Sequence, residues 1–276
     1  MLFHNCSEYI YNWIRRQNHV KEESLTDWLL YEISQQCPLV YYKAFSRHEE
    51  AQNGSDWEWW ILTNDSKNLH KFNAYRFVVQ AKKLSSNNQD NYHIINYTNR
   101  HGAQIDLLLD FAKDRNALPL YMYYSIGIPD ILKQIENVTY LSESTIRWCE
   151  SCTNGCFLTL ASDVYDLVYR TARKKISDCQ LLNHSFKLSL LDKGFDYCGV
   201  EIDKILTDFN NRLIREKNIG NIYFNNEIRG IKHDEKTIPR YLSVFIEHRQ
   251  DELNWFEDEM RITDIGGLGM IDVRKK

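Results

Sequence analysis

Asp56-Trp-Glu-Trp-Trp-Ile-Leu62 and Phe77-Val-Val-Gln-Ala-Lys-Lys-Leu84 are the two segments around which the fold can be built. Both are rich in aromatic and β-branched residues, which fit a pleated surface, and polar turn segments bound both. Ser46 to Ser55, with Asn53-Gly54, precedes the first; Thr63 to Asn68 follows it; Ser85 to Asn91 follows the second. We read strands over 56–62 and 72–84, joined by a short excursion and therefore paired antiparallel. Upstream, Leu39 to Phe45 reads as a further strand. Before it, Tyr9, Ile10, Trp13 and Ile14 share one helix face over residues 5–18. A second helix is expected over Glu23–Gln36, with Leu25, Trp28, Leu29, Leu30 and Ile33 inward and Pro38 closing it. Downstream, Ile105, Leu108, Leu109 and Ala112 mark a helix over Gln104–Asn116, and Leu118 to Tyr124 reads as a strand.

The resulting order, α-β-β-β-α-β, predicts an α/β fold with a mixed sheet flanked by helices. Beyond residue 140 the pattern suggests helices over Ser162–Ile176 and Val200–Lys217 and a strand over Pro239–Ile246. We therefore expect a core over 1–140 and a mainly helical C-terminal elaboration over 141–276 packed on it, a single domain being the alternative.

Composition bounds the function. The chain has 276 residues, 13% of them aromatic, with only 11 glycines and 4 prolines, which excludes a linker, a collagenous chain or a disordered one. No apolar run is long enough to span a bilayer, and Met1 to Glu8 lacks the basic and apolar regions of a secretory signal. Seven cysteines, an odd number in a large chain, do not make a disulfide framework. The expectation is a cytoplasmic protein with reduced thiols and no membrane partner. A net charge of −4 excludes a uniformly basic coat for nucleic acid, but the charge is uneven. Between Lys67 and Gln104 six basic residues face one acid, Asp90, whereas Arg249 to Asp264 holds six acids and two arginines.

The chemistry-bearing residues lie on the two deciding strands. Asp56 and Glu58 stand two apart, so strand alternation sends both to one face, and Gln80 and Lys82 share that relation on the next strand. An antiparallel pairing brings Asp56, Gln80 and Lys82 to one end of the sheet, where Glu23 at the start of the second helix leans over. Oxygen ligands from Asp, Glu and an amide suit Mg²⁺, and a lysine beside the metal can orient the attacking water and stabilise developing charge.

Glu23 … Gly54-Ser-Asp56 … Gln80-Ala-Lys82 in this frame resembles the PD-(D/E)xK, or restriction-endonuclease-like, nuclease superfamily; the Gln-x-Lys form is similar to the variant in Mrr-like restriction enzymes. Glu22-Glu-Ser24, Gly54-Ser-Asp-Trp-Glu-Trp-Trp60 and Val79-Gln-Ala-Lys82 look like a bacterial family of that type. The resemblance covers roughly residues 20–125. It implies Mg²⁺- or Mn²⁺-dependent hydrolysis of phosphodiester bonds in DNA, less readily RNA, with a role in defence against foreign DNA. Asp56 would be the principal metal ligand, Gln80 a second through its side-chain oxygen, and Lys82 the catalytic lysine. Glu23 would be the helix carboxylate, with Glu22 its competitor, and Glu58 a further ligand by geometry. Such enzymes often dimerise, which leaves a homodimer open. The amide at Gln80 departs from the usual acid, so an inactive nucleic-acid-binding descendant is the alternative.

Other features read more plainly. Trp57, Trp59 and Trp60 are core residues before they are a base-stacking platform. Cys149, Cys152 and Cys156 invite zinc but lack a fourth ligand at finger spacing, Cys179, His184 and Cys198 being distant candidates. Gly266-Gly-Leu-Gly269 does not open a strand–turn–helix unit, so it is no dinucleotide motif. Arg100 and His101 suit a solvated loop.

Overall fold

The computed structural model describes residues 2–44, 53–64, 71–85, 90–126, 154–169, 175–192, 232–248 and 266–274. In chain order the elements are α1 (Leu2–Arg16), α2 (Glu22–Gln36), β1 (Val40–Ala44), β2 (Trp57–Asn64) and β3 (Phe72–Lys83). A short helix α3 (Tyr92–Ile95) and the hairpin β4 (Thr98–Asn99) and β5 (Gly102–Ala103) lead into α4 (Gln104–Asp114) and β6 (Leu118–Tyr124). Then come β7 (Cys156–Leu160), α5 (Ala161–Tyr169), α6 (Asp178–Asn183), β8 (Ser185–Lys187), β9 (Lys232–His233), α7 (Arg240–His248) and β10 (Gly267–Asp272).

The expected α-β-β-β-α-β succession is α2-β1-β2-β3-α4-β6, and the fold is α/β with a mixed sheet. The sheet order is β1-β10-β2-β3-β6-β7-β8, with β9 pairing the start of β3. β2 and β3 are antiparallel, as expected, with Trp57 opposite Val79 and Asn64 opposite Phe72. β6 runs parallel to β3, which requires the crossover that α4 provides. β10 is inserted between β1 and β2, antiparallel to the former and parallel to the latter. The two halves of the chain therefore share one sheet, and among the described residues past 140 strands accompany the helices.

Apolar faces explain the layers. α1 and α2 lay Phe3, Ile10, Ile14, Leu25, Leu29 and Ile33 on the face formed by Trp59, Ile61, Phe77, Val79, Leu120 and Met122. On the opposite face α4 and α5 cover Val78, Tyr121 and Tyr123, and α7 covers Trp60, Leu62 and Met270. With helices on both sides, β2, β3 and β6 are buried along almost their whole length, which is why they read as continuous apolar runs. Among the described residues no helix is long and apolar enough to cross a membrane.

Two expectations are corrected. Pro239–Ile246 is not a strand: Arg240–His248 is helical, because Tyr241, Leu242, Phe245 and Ile246 have helix-face spacing and Pro239 suits a helix start. The helix expected to reach Ile176 is described to Tyr169, and 175–177 are not helical. Asn91 donates its backbone N–H to the Ile176 carbonyl (2.8 Å), and the Ile176 N–H goes to Asp90 Oδ1 (3.0 Å). The glycine cluster at 266–269 forms the start of β10, where a Cβ on Gly269 would strike the Trp59 ring. The helix expected over Val200–Lys217 lies outside the described residues.

Candidate functional site

Asn53 to Asp56 forms a built turn at the mouth of β2. Asn53 Oδ1 accepts from the Ser55 N–H (2.8 Å) and hydroxyl (3.0 Å), with both residues buried. Gly54 has a φ of 72°, and a Cβ there would lie 2.9 Å from the Leu108 N and against the Gln104 carbonyl, so the first turn of α4 clamps the loop. On the other side Gly266 lets β10 approach, a Cβ at that position falling 2.6 Å from the Asp56 carbonyl oxygen.

Asp56 closes over the end of β3. Its N–H donates to the Val79 carbonyl (2.8 Å), and its Oδ2 accepts from Gln80 Nε2 (2.7 Å) and the Ala81 N–H (2.5 Å). Gln80 Nε2 also donates to the Ala81 carbonyl (3.0 Å). Both neighbours of Nε2 are acceptors, which fixes the amide orientation and leaves Gln80 Oε1 buried without a hydrogen-bond partner among the described residues.

The helix carboxylate that meets β3 is Glu22. Its Oε2 accepts the Lys83 N–H at 2.7 Å, and its Oε1 stands 3.9 Å from Lys82 Nζ. Lys82 itself has only 11% of its side chain exposed. Lys83 points elsewhere, donating to the Val20 (2.9 Å) and Asn18 carbonyls, and burial lowers its pKa. Glu23 makes no such contact with β3. It lines, with Glu22, Asp27 and Asp56, an acidic cavity of about 350 Å³ walled by Tyr31 and Tyr42. Asp56, Gln80, Lys82 and Glu22 are thus brought to one end of the sheet, with Glu23 at the rim.

Glu58 is the correction. Alternation does not carry Asp56 and Glu58 to a shared site, because β2 begins at Trp57 and Asp56 folds over the strand end. Glu58 is fully buried and saturated: its Oε2 accepts from Arg76 Nε (2.8 Å) and Nη2 (2.6 Å), its Oε1 from Trp60 Nε1 and the Tyr241 hydroxyl. Arg76 also donates to Tyr241 Oη (2.9 Å) and the Arg115 carbonyl (3.0 Å). Burial and then the Glu58 charge push the Tyr241 pKa well up. This knot fastens α7 to the sheet and offers no atom to a ligand.

The sequence reading passed over Tyr121 and Tyr123. They are the register neighbours of Gln80 and Lys82, and the signal was their spacing of two on a strand beside the motif. For zinc, Cys149, Cys152 and Cys198 lie outside the described residues. Cys156 is fully buried in β7, where burial pushes its thiol pKa up and so disfavours the thiolate that zinc needs. Among the described residues no three His, Cys, Asp or Glu side chains are grouped to hold a metal by themselves.

No curated protein and no solved structure matches the chain. A family model does, over residues 1–255, a span that covers every site residue above and stops short of β10. The chain belongs to that family, DUF6615, described as a family of unknown function.

Proposed function

We propose that the protein is a Mg²⁺-dependent nuclease of the restriction-endonuclease-like type, hydrolysing phosphodiester bonds of DNA at Asp56, Gln80, Lys82 and Glu22. The observation that carries the reading is Gln80 Oε1: a buried amide oxygen, fixed in orientation, with no hydrogen-bond partner among the described residues, beside a carboxylate. A buried acceptor of this kind asks for a donor or a cation. Asp56 and Gln80 together offer oxygen donors only, the set that Mg²⁺ prefers. Mg²⁺ sites built on one or two carboxylates keep positions for water and phosphate, and here Asp56 and Glu22 are the carboxylates held at the end of β3. When bound, the ion supplies Lewis-acid polarisation of the phosphate and a more acidic water. The chain's own part is to hold that geometry: Asp56 pinned by two donors, Lys82 aimed at the same end of the sheet, and Glu22 anchored on the Lys83 N–H.

A catalytically silent nucleic-acid-binding protein is the second reading, favoured by the neutral amide at Gln80, which brings a metal no charge. Incubation of the full chain with supercoiled and single-stranded DNA, with Mg²⁺ or Mn²⁺ and with EDTA controls, tests the first. Metal-dependent nicking is expected, and its persistence in both Asp56→Ala and Lys82→Ala would overturn the site. Calorimetric titration with Mn²⁺ separates the readings, since only the nuclease reading expects a site that Asp56→Ala removes.

A further inference from the structure

The acidic cavity of about 350 Å³ that Asp56 borders lies between α2, β1 and the mouths of β2 and β10. Its volume falls within the roughly 300–1,000 Å³ of small-molecule sites. Glu23, Asp27 and Tyr31 follow one another at intervals of four on α2, so one stripe of the helix faces the cavity. All three are exposed, and the cavity therefore opens to solvent. Its lining holds three kinds of group. The first is aromatic: Tyr31, 57% exposed, and Tyr42 on β1, whose ring would come within 3.3 Å of a Cβ added to Gly267. The second is acidic: Glu22 and Asp56, each tied to β3 through one oxygen, are joined by Glu23 and Asp27. The third is a donor: Trp57 lines the cavity from the α2 side of the sheet, is 1% exposed, and its indole N–H has no hydrogen-bond partner among the described residues. No lysine or arginine lines the cavity among the described residues. Carboxylates without a cation repel phosphate, and a simple cation makes no use of an indole donor. A planar ring with N–H donors and acceptor atoms on its edge uses all three kinds of group: its faces meet tyrosine, its amino group meets a carboxylate and an acceptor meets the indole N–H.

We propose that this cavity receives an unpaired nucleobase bearing an amino group, with Tyr31 and Tyr42 as stacking walls, Glu23 and Asp27 as acceptors for the amino N–H, and the Trp57 indole as a donor. The inference rests on the nuclease reading for the choice of a nucleic acid as the source of the base. It adds a preference for amino-bearing bases over thymine or uracil next to the bond that Asp56 would serve. The phosphates of such a strand stay outside the cavity, where Arg15, Arg16, His19 and Lys21, all exposed, precede the first turn of α2. Stacking on tyrosine tolerates any base, so discrimination falls to the carboxylates.

The test uses the full chain in EDTA, so that neither cleavage nor a bound metal enters the measurement. Saturation-transfer NMR compares two matched pairs of nucleosides, deoxycytidine with deoxyuridine and deoxyadenosine with deoxyinosine, in which an oxygen replaces the amino group. At least one amino nucleoside is expected to bind, and its matched partner about tenfold more weakly, as loss of a hydrogen bond to a charged acceptor implies. Tyr31→Ala and Asp27→Asn, both at exposed positions, are each expected to weaken that binding about tenfold with the melting temperature unchanged. Binding of neither amino nucleoside, equal binding within both pairs, or binding that either variant retains in full overturns the inference. So does a loss of binding that follows a fall in melting temperature in both variants, which would make the stripe structural. Spermidine binding where no nucleoside binds also overturns it and gives the cavity to an organic cation. Plasmid cleavage in Mg²⁺, run in parallel, separates the two ideas. Cleavage by wild type with no nucleoside binding overturns the base pocket and leaves the nuclease reading standing. Nucleoside binding that the variants lose, with no cleavage by wild type, keeps the pocket and overturns the nuclease reading.

Discussion

Glu58 and Asp56 stand two residues apart, each a carboxylate that meets groups on β3, and they do opposite things. Every oxygen of Glu58 is taken up by Arg76, Trp60 and Tyr241, all within the protein. Asp56 is held just as firmly, by Gln80 and the Ala81 N–H, but among the described residues Gln80 Oε1 beside it has no hydrogen-bond partner. Charge alone does not distinguish a site from a strut. What distinguishes them is whether the surrounding donors and acceptors are already spent.

Mutation distinguishes the two carboxylates. The largest effect is expected at the strut: Glu58→Ala leaves Arg76 buried and unpaired and should lower stability by about 3–5 kcal/mol in urea unfolding. A loss under about 1 kcal/mol would erase the contrast. Next come Lys82→Ala and Asp56→Asn, each expected to reduce DNA cleavage about 100-fold or more while changing the melting temperature little. A large stability loss in either would move that residue into the structural class. Gly54→Ala should destabilise by about 1–3 kcal/mol, because the φ of 72° and the closeness of Leu108 N leave a Cβ no room. It should also depress cleavage, since the same loop carries Asp56. The smallest effect is at Asp106, which accepts from the Tyr169 hydroxyl at 3.2 Å and whose pKa is raised, chiefly by burial. A carboxyl with a raised folded-state pKa favours the folded chain when protonated, so its penalty grows as pH rises just above the ordinary carboxylate range. Asp106→Asn should flatten the fall in melting temperature across that window, and an unchanged profile would refute the shift.

Legibility from sequence followed the same divide. β2, β3, α4 and β6 could be read because their apolar runs are continuous or periodic and bounded by turns. β10 could not, because Gly267 and Gly269 carry no side-chain pattern, and their reason for being small is Trp59 on the neighbouring strand. α7 reads locally as a strand because Tyr241, Leu242, Phe245 and Ile246 are apolar and aromatic residues that suit a sheet. Their spacing, the same as that of Tyr9, Ile10, Trp13 and Ile14 in α1, was the better guide. At the site, strand alternation puts Gln80 and Lys82 on one face, and the antiparallel pairing of β2 with β3 brings Asp56, just before β2, beside them. Glu58 misled because its partner Arg76 depends on cross-strand placement and on a tyrosine 183 positions away, which no local pattern reports. The choice between Glu22 and Glu23 turned on helix rotation by a single residue.

The position of β10 has a consequence for how the molecule is made. β1 and β2 are synthesised early, yet the strand that joins them is made only after more than two hundred further residues. Until it arrives, both strands present open backbone edges, and the Asp56 carbonyl lacks the cover of Gly266. A nascent or prematurely terminated polypeptide therefore carries the cluster residues without the strand that braces them. Such products should be slow to fold, prone to mispairing and silent on the bench until the last strand is in place.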